Sequence, residues 1–224
     1  MEREDMKRSA GEKALEYVED GMTIGLGTGS TVAYTIKKLG ELVKGGLSIT
    51  GIPTSLQTKK LATDCGIILG ELDDHTLIDL TIDGADEVDS NLNLIKGGGG
   101  ALTREKIVAY HSALEIIVID ESKIVRGLGI DFPVAVEVVK YGYLATKKTL
   151  EALGCTAELR TIVGEVYITD NSNYILDCEF GKIDDAETLE KDINCIPGVV
   201  ENGLFIGLVD EVIVGSTQGI IIRE

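Results

Sequence analysis

The sequence predicts an α/β protein: a Rossmann-like, mostly parallel sheet flanked by helices, with an inserted α+β domain of ferredoxin-like βαββαβ order. Three observations predict it. Through the first half, short apolar runs alternate with helical periodicity, and the run at 114–120 is almost continuously apolar. Such runs suit strands covered on both faces. After about residue 130 the strand patterns alternate instead, and strand and helix patterns follow one another as βαββαβ. Short apolar strands then resume at 210–214 and 219–222. The expected domains are 1–129 with 207–224, and an inserted 130–206.

In chain order, Met6, Ala10, Ala14, Leu15 and Val18 share one side of a helix expected at 6–20, which Asp20-Gly21 ends. A strand at 22–25 leads through Gly27-Thr28-Gly29-Ser30 into a helix at 31–43. Strands at 47–52 and 67–69 flank a helix at 55–64, and a strand at 77–82 is stopped by Asp83-Gly84. The glycine run Gly97 to Gly100 opens a helix at 102–112. In the inserted part, strands are expected at 134–139, 157–160, 174–180 and 199–205, and helices at 143–153 and 186–193.

Composition narrows the function. The chain has 224 residues, 44% of them hydrophobic, and carries a net charge of −17. That charge argues against nucleic acid and anionic membranes as partners, which need basic surface. No apolar run approaches the ~18 residues of a membrane span. The residues following Met1 lack the basic and apolar segments of a signal peptide, so a cytoplasmic location is expected. Cys65, Cys155, Cys178 and Cys195 form no Cys-x-x-Cys motif and read as reduced thiols.

Three loops carry candidate chemistry. The first, Gly25 to Thr31, lies between a strand and a helix, where backbone N–H groups bind anions. Its spacing matches neither the dinucleotide nor the nucleotide P-loop pattern, which favours a small phosphorylated ligand. A plain glycine-rich turn is the other reading, and the residues alone leave both open. The second, Asp83-Gly84-Ala85-Asp86-Glu87-Val88-Asp89, follows a strand end. Its carboxylates suit proton exchange with sugar hydroxyls, ligation of a divalent cation, or a solvated acidic turn. The third is Lys96 to Lys106, which offers a lysine, bare glycine N–H groups and the carboxylate of Glu105. That set suits a carbonyl that becomes an oxyanion while a base removes the neighbouring proton. Lys123 follows the strand at 114–120 and is expected at the same sheet edge. His75 and His111 are the only histidines and lie outside these loops, which disfavours a histidine triad or a histidine-rich zinc site.

Together these loops resemble the type A ribose-5-phosphate isomerase family. The matching pieces are Gly27-Thr28-Gly29-Ser30-Thr31, Asp83-Gly84-Ala85-Asp86-Glu87, and Lys96-Gly97-Gly98-Gly99 through Thr103-Arg104-Glu105-Lys106. Further matches run through Phe132-Pro133-Val134, Thr169-Asp170-Asn171, Ile175-Leu176-Asp177 and Ile196-Pro197-Gly198-Val199-Val200. The resemblance implies interconversion of D-ribose 5-phosphate and D-ribulose 5-phosphate in the pentose phosphate network, with no metal or nucleotide cofactor. It implies a homodimer or homotetramer. Carried over by motif, Glu105 resembles the proton-transferring base, and Asp83 and Asp86 resemble the groups that handle sugar hydroxyls and ring opening. Lys96 with Gly97, Gly98 and Gly99 resembles the oxyanion-stabilising segment. Thr28, Gly29, Ser30, Thr31, Gly84, Ala85 and Lys123 match substrate-contacting positions. Gly100, where many members carry alanine, is expected to loosen the loop slightly. The rival readings are a sugar-phosphate-sensing effector domain, or a sugar-phosphate deaminase or lactonase. The acidic charge without a basic DNA-binding stretch disfavours the first, and the placing of the histidines disfavours the others.

Overall fold

The computed structural model describes residues 2–224, which divide into two compact units. The first comprises residues 2–85, 104–123 and 208–224; the second comprises 86–103 and 124–207.

The first unit is built on a seven-stranded sheet. Its order is Gly219–Arg223, Glu211–Ser216, Glu115–Asp120, Leu80–Asp83, Thr23–Leu26, Thr50–Pro53, Ile68–Leu69. Every pairing is parallel except the edge pair of Glu211–Ser216 with Gly219–Arg223. The interior strand Glu115–Asp120 is buried at all six positions, which is why its pattern is a continuous apolar run rather than an alternation. Ile24, Leu26, Leu80, Ile82, Ile116 and Val118 pack against Val32, Ile36 and Leu39 of the helix Val32–Lys44. The chain runs outward in both directions from Thr23–Leu26, so the sheet reverses its order between that strand and Leu80–Asp83. In open parallel sheets ligands bind beyond the strand ends at such a reversal.

Boundaries moved for local reasons. The first helix is Arg3–Lys13, tightening into a 3₁₀ turn at Ala14–Tyr17, rather than one helix over 6–20. The strand expected at 47–52 starts at Thr50, because Ser48 N–H is bonded to Asp20 Oδ1 (2.7 Å) and Leu47 N–H to Leu42 O (3.1 Å).

The second unit holds a four-stranded antiparallel sheet in the order Val199–Asn202, Val134–Val138, Tyr174–Glu179, Thr156–Leu159. Helices Tyr143–Glu151 and Ala186–Asn194 supply Leu150 and Ile193 to its core, against Val134, Val136, Val138, Leu176 and Cys178. Two results differ from the sequence reading. The strand expected at 199–205 is split: Leu204–Phe205 leaves the four-stranded sheet and pairs with Leu94–Ile95, which pairs in turn with Glu87–Val88. Gly203 marks the break, donating to Ala135 O (2.7 Å) and accepting from Lys96 N–H (2.9 Å). These two-residue strands, too short for a periodic signal, draw 86–103 into the second unit instead of the sheet domain. A short hairpin, Thr161–Ile162 with Glu165–Val166, was also unforeseen.

Among the described residues no helix is long and apolar enough to cross a membrane.

Candidate active site

The candidate residues fall in both units. Thr28 to Thr31, Asp83 to Ala85, Glu105 and Lys123 belong to the first; Asp86 and Lys96 to Gly99 belong to the second.

In the first unit, the loops after Thr23–Leu26 and Leu80–Asp83 are fastened to each other. Asp83 is 1% exposed, and its Oδ1 accepts from Thr28 N–H (3.0 Å) and from Gly84 N–H (2.7 Å). Gly27 makes that approach possible, since a Cβ there would lie 2.1 Å from Asp83 Oδ1. The Thr28 hydroxyl turns into a cluster with Thr54 Oγ1 (2.8 Å), Ser55 Oγ (2.8 Å) and Thr58 Oγ1 (3.1 Å). Thr28 therefore fixes the loop from beneath, with both its hydroxyl and its N–H engaged by the protein. Gly29 and Ser30 are exposed. Thr31 stands at the head of the helix Val32–Lys44 without a side-chain cap bond, whereas Ser55 caps the next helix through Thr58 N–H (3.0 Å). A helix start of that kind keeps N–H donors and partial positive charge for an anion.

Glu105 sits in the first turn of the helix Leu102–Tyr110 and is 4% exposed. Burial of a carboxylate is costly unless the group is paired or hydrogen-bonded. Lys123 ends a 3₁₀ turn, Glu121–Lys123, directly after Glu115–Asp120 and is half-buried. Asp120 anchors that turn, accepting from Ser122 N–H (3.1 Å) and from Arg3 Nε (3.1 Å). Burial works against ionisation of Asp120, but the bonds from Ser122 and Arg3 outweigh it and hold the carboxyl below its ordinary range.

In the second unit, Asp86 Oδ2 accepts from Gly98 N–H (2.8 Å), which joins the acidic loop to the glycine loop. Lys96 is 2% exposed, with its Nζ 5.4 Å above the centre of the Phe205 ring, within reach of a cation–π contact. Gly97 and Gly100 have φ of 102° and 79°, and a Cβ on Gly100 would meet Tyr167 Oη at 2.3 Å. Glycine at position 100 thus fits a close contact; it does not merely loosen the loop.

The motifs did not point to several residues that shape this half. Arg160 donates to the carbonyls of Gly97 (2.7 Å) and Gly98 (3.3 Å), and Tyr167 Oη donates to Gly99 O (3.3 Å). Glu137 is fully buried and accepts from Thr103, Thr169 (2.8 Å) and Asn173 (2.9 Å), all neutral donors. A carboxylate at a core-facing position of an apolar strand was the available signal, because such a charge must be hydrogen-bonded. His75 is half-buried and His111 is exposed at its helix end, where Nδ1 lies 2.8 Å from Ile107 O. Among the described residues no group of three or more His, Cys, Asp or Glu side chains is placed to hold a metal ion.

A profile of the family described as ribose 5-phosphate isomerase A (phosphoriboisomerase A) matches residues 50–219. The chain belongs to the ribose-5-phosphate isomerase A family. A ribose-5-phosphate isomerase A of Parvibaculum lavamentivorans is 48% identical over 231 residues, spanning 100% of both chains. Among solved structures, a D-ribose-5-phosphate isomerase in complex with phospho-erythronic acid superposes with a TM-score of 0.97 at 47% identity, covering 100% of both chains. The ribose 5-phosphate isomerase A of Methanocaldococcus jannaschii gives a TM-score of 0.95 at 45% identity, again over 100% of each. Family membership accounts for the order of the three loops along the chain.

Proposed function

We propose that Glu105 is the base that moves the proton in this family member's reaction. The protein is an aldose–ketose isomerase that interconverts D-ribose 5-phosphate and D-ribulose 5-phosphate in the non-oxidative pentose phosphate pathway. The observation that carries the reading is the end-to-end match, at 47% identity, to an isomerase solved with phospho-erythronic acid. That ligand is a phosphorylated sugar acid. Its planar carboxylate has the shape and charge of an enediolate, the intermediate formed when a base takes a proton from beside a carbonyl.

The steps follow from the residue chemistry. The substrate's phosphate is held by N–H groups of Gly29, Ser30 and Thr31 and by Lys123. Such local donors are needed because the net charge of −17 repels anions at long range. Asp83, fixed by two N–H bonds, assists ring opening, and Gly84 and Ala85 line the sugar. Glu105 removes the proton from C2 of the aldehyde and returns it to C1. Lys96 and the N–H groups of Gly97 to Gly99 stabilise the oxygen that becomes negative in between, where preorganised donors contribute most. Asp86 or Asp83 exchanges protons between O1 and O2. No metal or nucleotide enters this scheme.

The finer reading of architecture and setting belongs here too. The first unit is a Rossmann-like domain that carries Glu105 and Asp83, on the strength of its order reversal beside Thr23–Leu26. The four-stranded sheet with its two helices is a ferredoxin-like insertion, on the strength of its strand order. We read the protein as a cytoplasmic homodimer or homotetramer, by family likeness and by its four free cysteines.

The test is an isomerase assay with ribose 5-phosphate and no added metal. Glu105→Gln should lose at least the ~10²–10⁴-fold that general acid–base catalysis supplies. Parental turnover in that variant would remove the assignment.

A further inference from the structure

The glycine loop has no side chains with which to hold its own shape, yet three consecutive carbonyls are occupied. Arg160 Nη1 takes Gly97 O (2.7 Å) and Gly98 O (3.3 Å), and Tyr167 Oη takes Gly99 O (3.3 Å). Arg160 is itself fixed. Its Nε donates to Asp177 Oδ2 (2.9 Å) and its Nη2 to Asp177 Oδ1, a two-point fork that sets the plane of the guanidinium. The guanidinium carbon lies 5.9 Å from the centre of the Tyr167 ring. The Arg160 side chain is 11% exposed and that of Asp177 24%, so the fork is shielded more than a surface ion pair.

The direction of these bonds matters for the opposite side of the loop. A trans peptide points its C=O and its N–H in opposite directions, and among the described residues no peptide is cis. Drawing the Gly97 and Gly98 carbonyls toward Arg160 therefore turns the Gly98 and Gly99 N–H groups the other way. Gly98 N–H is found on Asp86 Oδ2 (2.8 Å), and Gly98 and Gly99 are both exposed.

We propose that Arg160, held by Asp177, is a positioning residue for the isomerisation: it aims the Gly99 N–H donor and turns Gly98 N–H onto Asp86. The inference rests on the reading in which Lys96 to Gly99 stabilise the enediolate oxygen. Lysine cannot do the same work. It offers one point charge, whereas this site uses a planar fork on a carboxylate and a third nitrogen on two carbonyls.

The experiment compares Arg160→Ala with the parent and with Glu105→Gln, each checked for fold by circular dichroism and thermal melting. Removing an oxyanion donor costs ~10²–10³-fold in kcat, so misaiming one should cost roughly 10–100-fold. KM should change by less than about threefold, because the loss is felt in the transition state. Guanidinium chloride at tens of millimolar, compared with sodium chloride at equal strength, should restore a large part of the rate. A folded Arg160→Ala with kcat within about twofold of the parent overturns the proposal. So does a loss that guanidinium leaves unchanged, which would make Arg160 a packing residue. If Arg160→Ala does not fold, Arg160→Lys is read in its place: a drop of at least about tenfold supports the proposal, and parental kcat overturns it. Glu105→Gln keeps the two claims apart. Parental turnover there removes the underlying reading, whereas an inactive Glu105→Gln beside a fully active Arg160→Ala removes only the inference.

Discussion

In the first unit, the loops at the sheet edge hold each other, with Thr28 N–H and Gly84 N–H converging on one oxygen of Asp83. In the second unit, besides its own bond from Gly100 N–H to Gly97 O (2.9 Å), the glycine loop is held by side chains outside it, by Arg160 and Tyr167 on its carbonyls and Asp86 on an N–H. The difference follows from what each loop leaves behind. Gly27 and Asp83 run straight out of neighbouring parallel strands, so the sheet register sets where they meet. The glycine loop leaves a two-residue strand, Leu94–Ile95, which cannot aim a four-glycine run by itself. A loop launched from a sheet inherits its geometry; a loop made of bare backbone must borrow it.

The largest effect that would break this contrast lies in the second unit. Lys96→Met keeps an unbranched side chain of similar length but removes a charge that is 2% exposed. Its kcat should fall ~10²-fold or more, as for loss of an oxyanion donor, with KM changed much less. Steady-state kinetics on ribose 5-phosphate check this, and an unchanged kcat would leave the borrowed loop without a chemical purpose.

A smaller effect tests the self-held loops. Gly27→Ala places a Cβ 2.1 Å from Asp83 Oδ1 and 2.5 Å from Asp83 Cα, so backbone as well as side chain must move. Such overpacking typically costs ~1–3 kcal/mol, or about 3–10 °C in melting temperature for a chain of this size. Activity should fall with it, because the same shift displaces Asp83. A variant that melts with the parent would show that the two loops are less tightly coupled than their hydrogen bonds indicate.

The smallest effect concerns the turn that carries Lys123. The folded-state pKa of Asp120 is lowered, so its contribution to stability is present above the ordinary carboxylate range and is lost as pH falls through the lowered value. Asp120→Asn should therefore cost stability near neutrality and flatten the acid limb of a stability–pH profile. Arg3 is 56% exposed, which limits the ion pair to about 1 kcal/mol or less. Melting curves of the parent and Asp120→Asn between pH 3 and 7 check this.

The same contrast explains what could be read in advance. The inner strands of the first unit were legible because they are buried, largely apolar runs, and Asp83 and Thr28 were legible because they stand at strand ends. The βαββαβ order survived because its helices are long enough to show periodicity. Glu87–Val88 and Leu94–Ile95 are two residues each, and no pattern distinguishes them from loop. Glu105, Lys96 and Asp86 were visible as motif residues. Arg160, Tyr167 and Glu137 were not, since they stand outside the three loops and only the folded chain joins them to Gly97, Gly99 and Thr103. A long-range bond leaves a trace at each end but nothing that joins them.

The account stands on proton transfer by the Glu105 carboxylate, and isomerisation of ribose 5-phosphate in D₂O reads that transfer directly. The parent protein should place solvent deuterium at C1 of the ribulose 5-phosphate it forms, and Glu105→Gln should lose both turnover and incorporation together. Parental-rate conversion with no solvent deuterium in the product, or undiminished incorporation by Glu105→Gln, would contradict it.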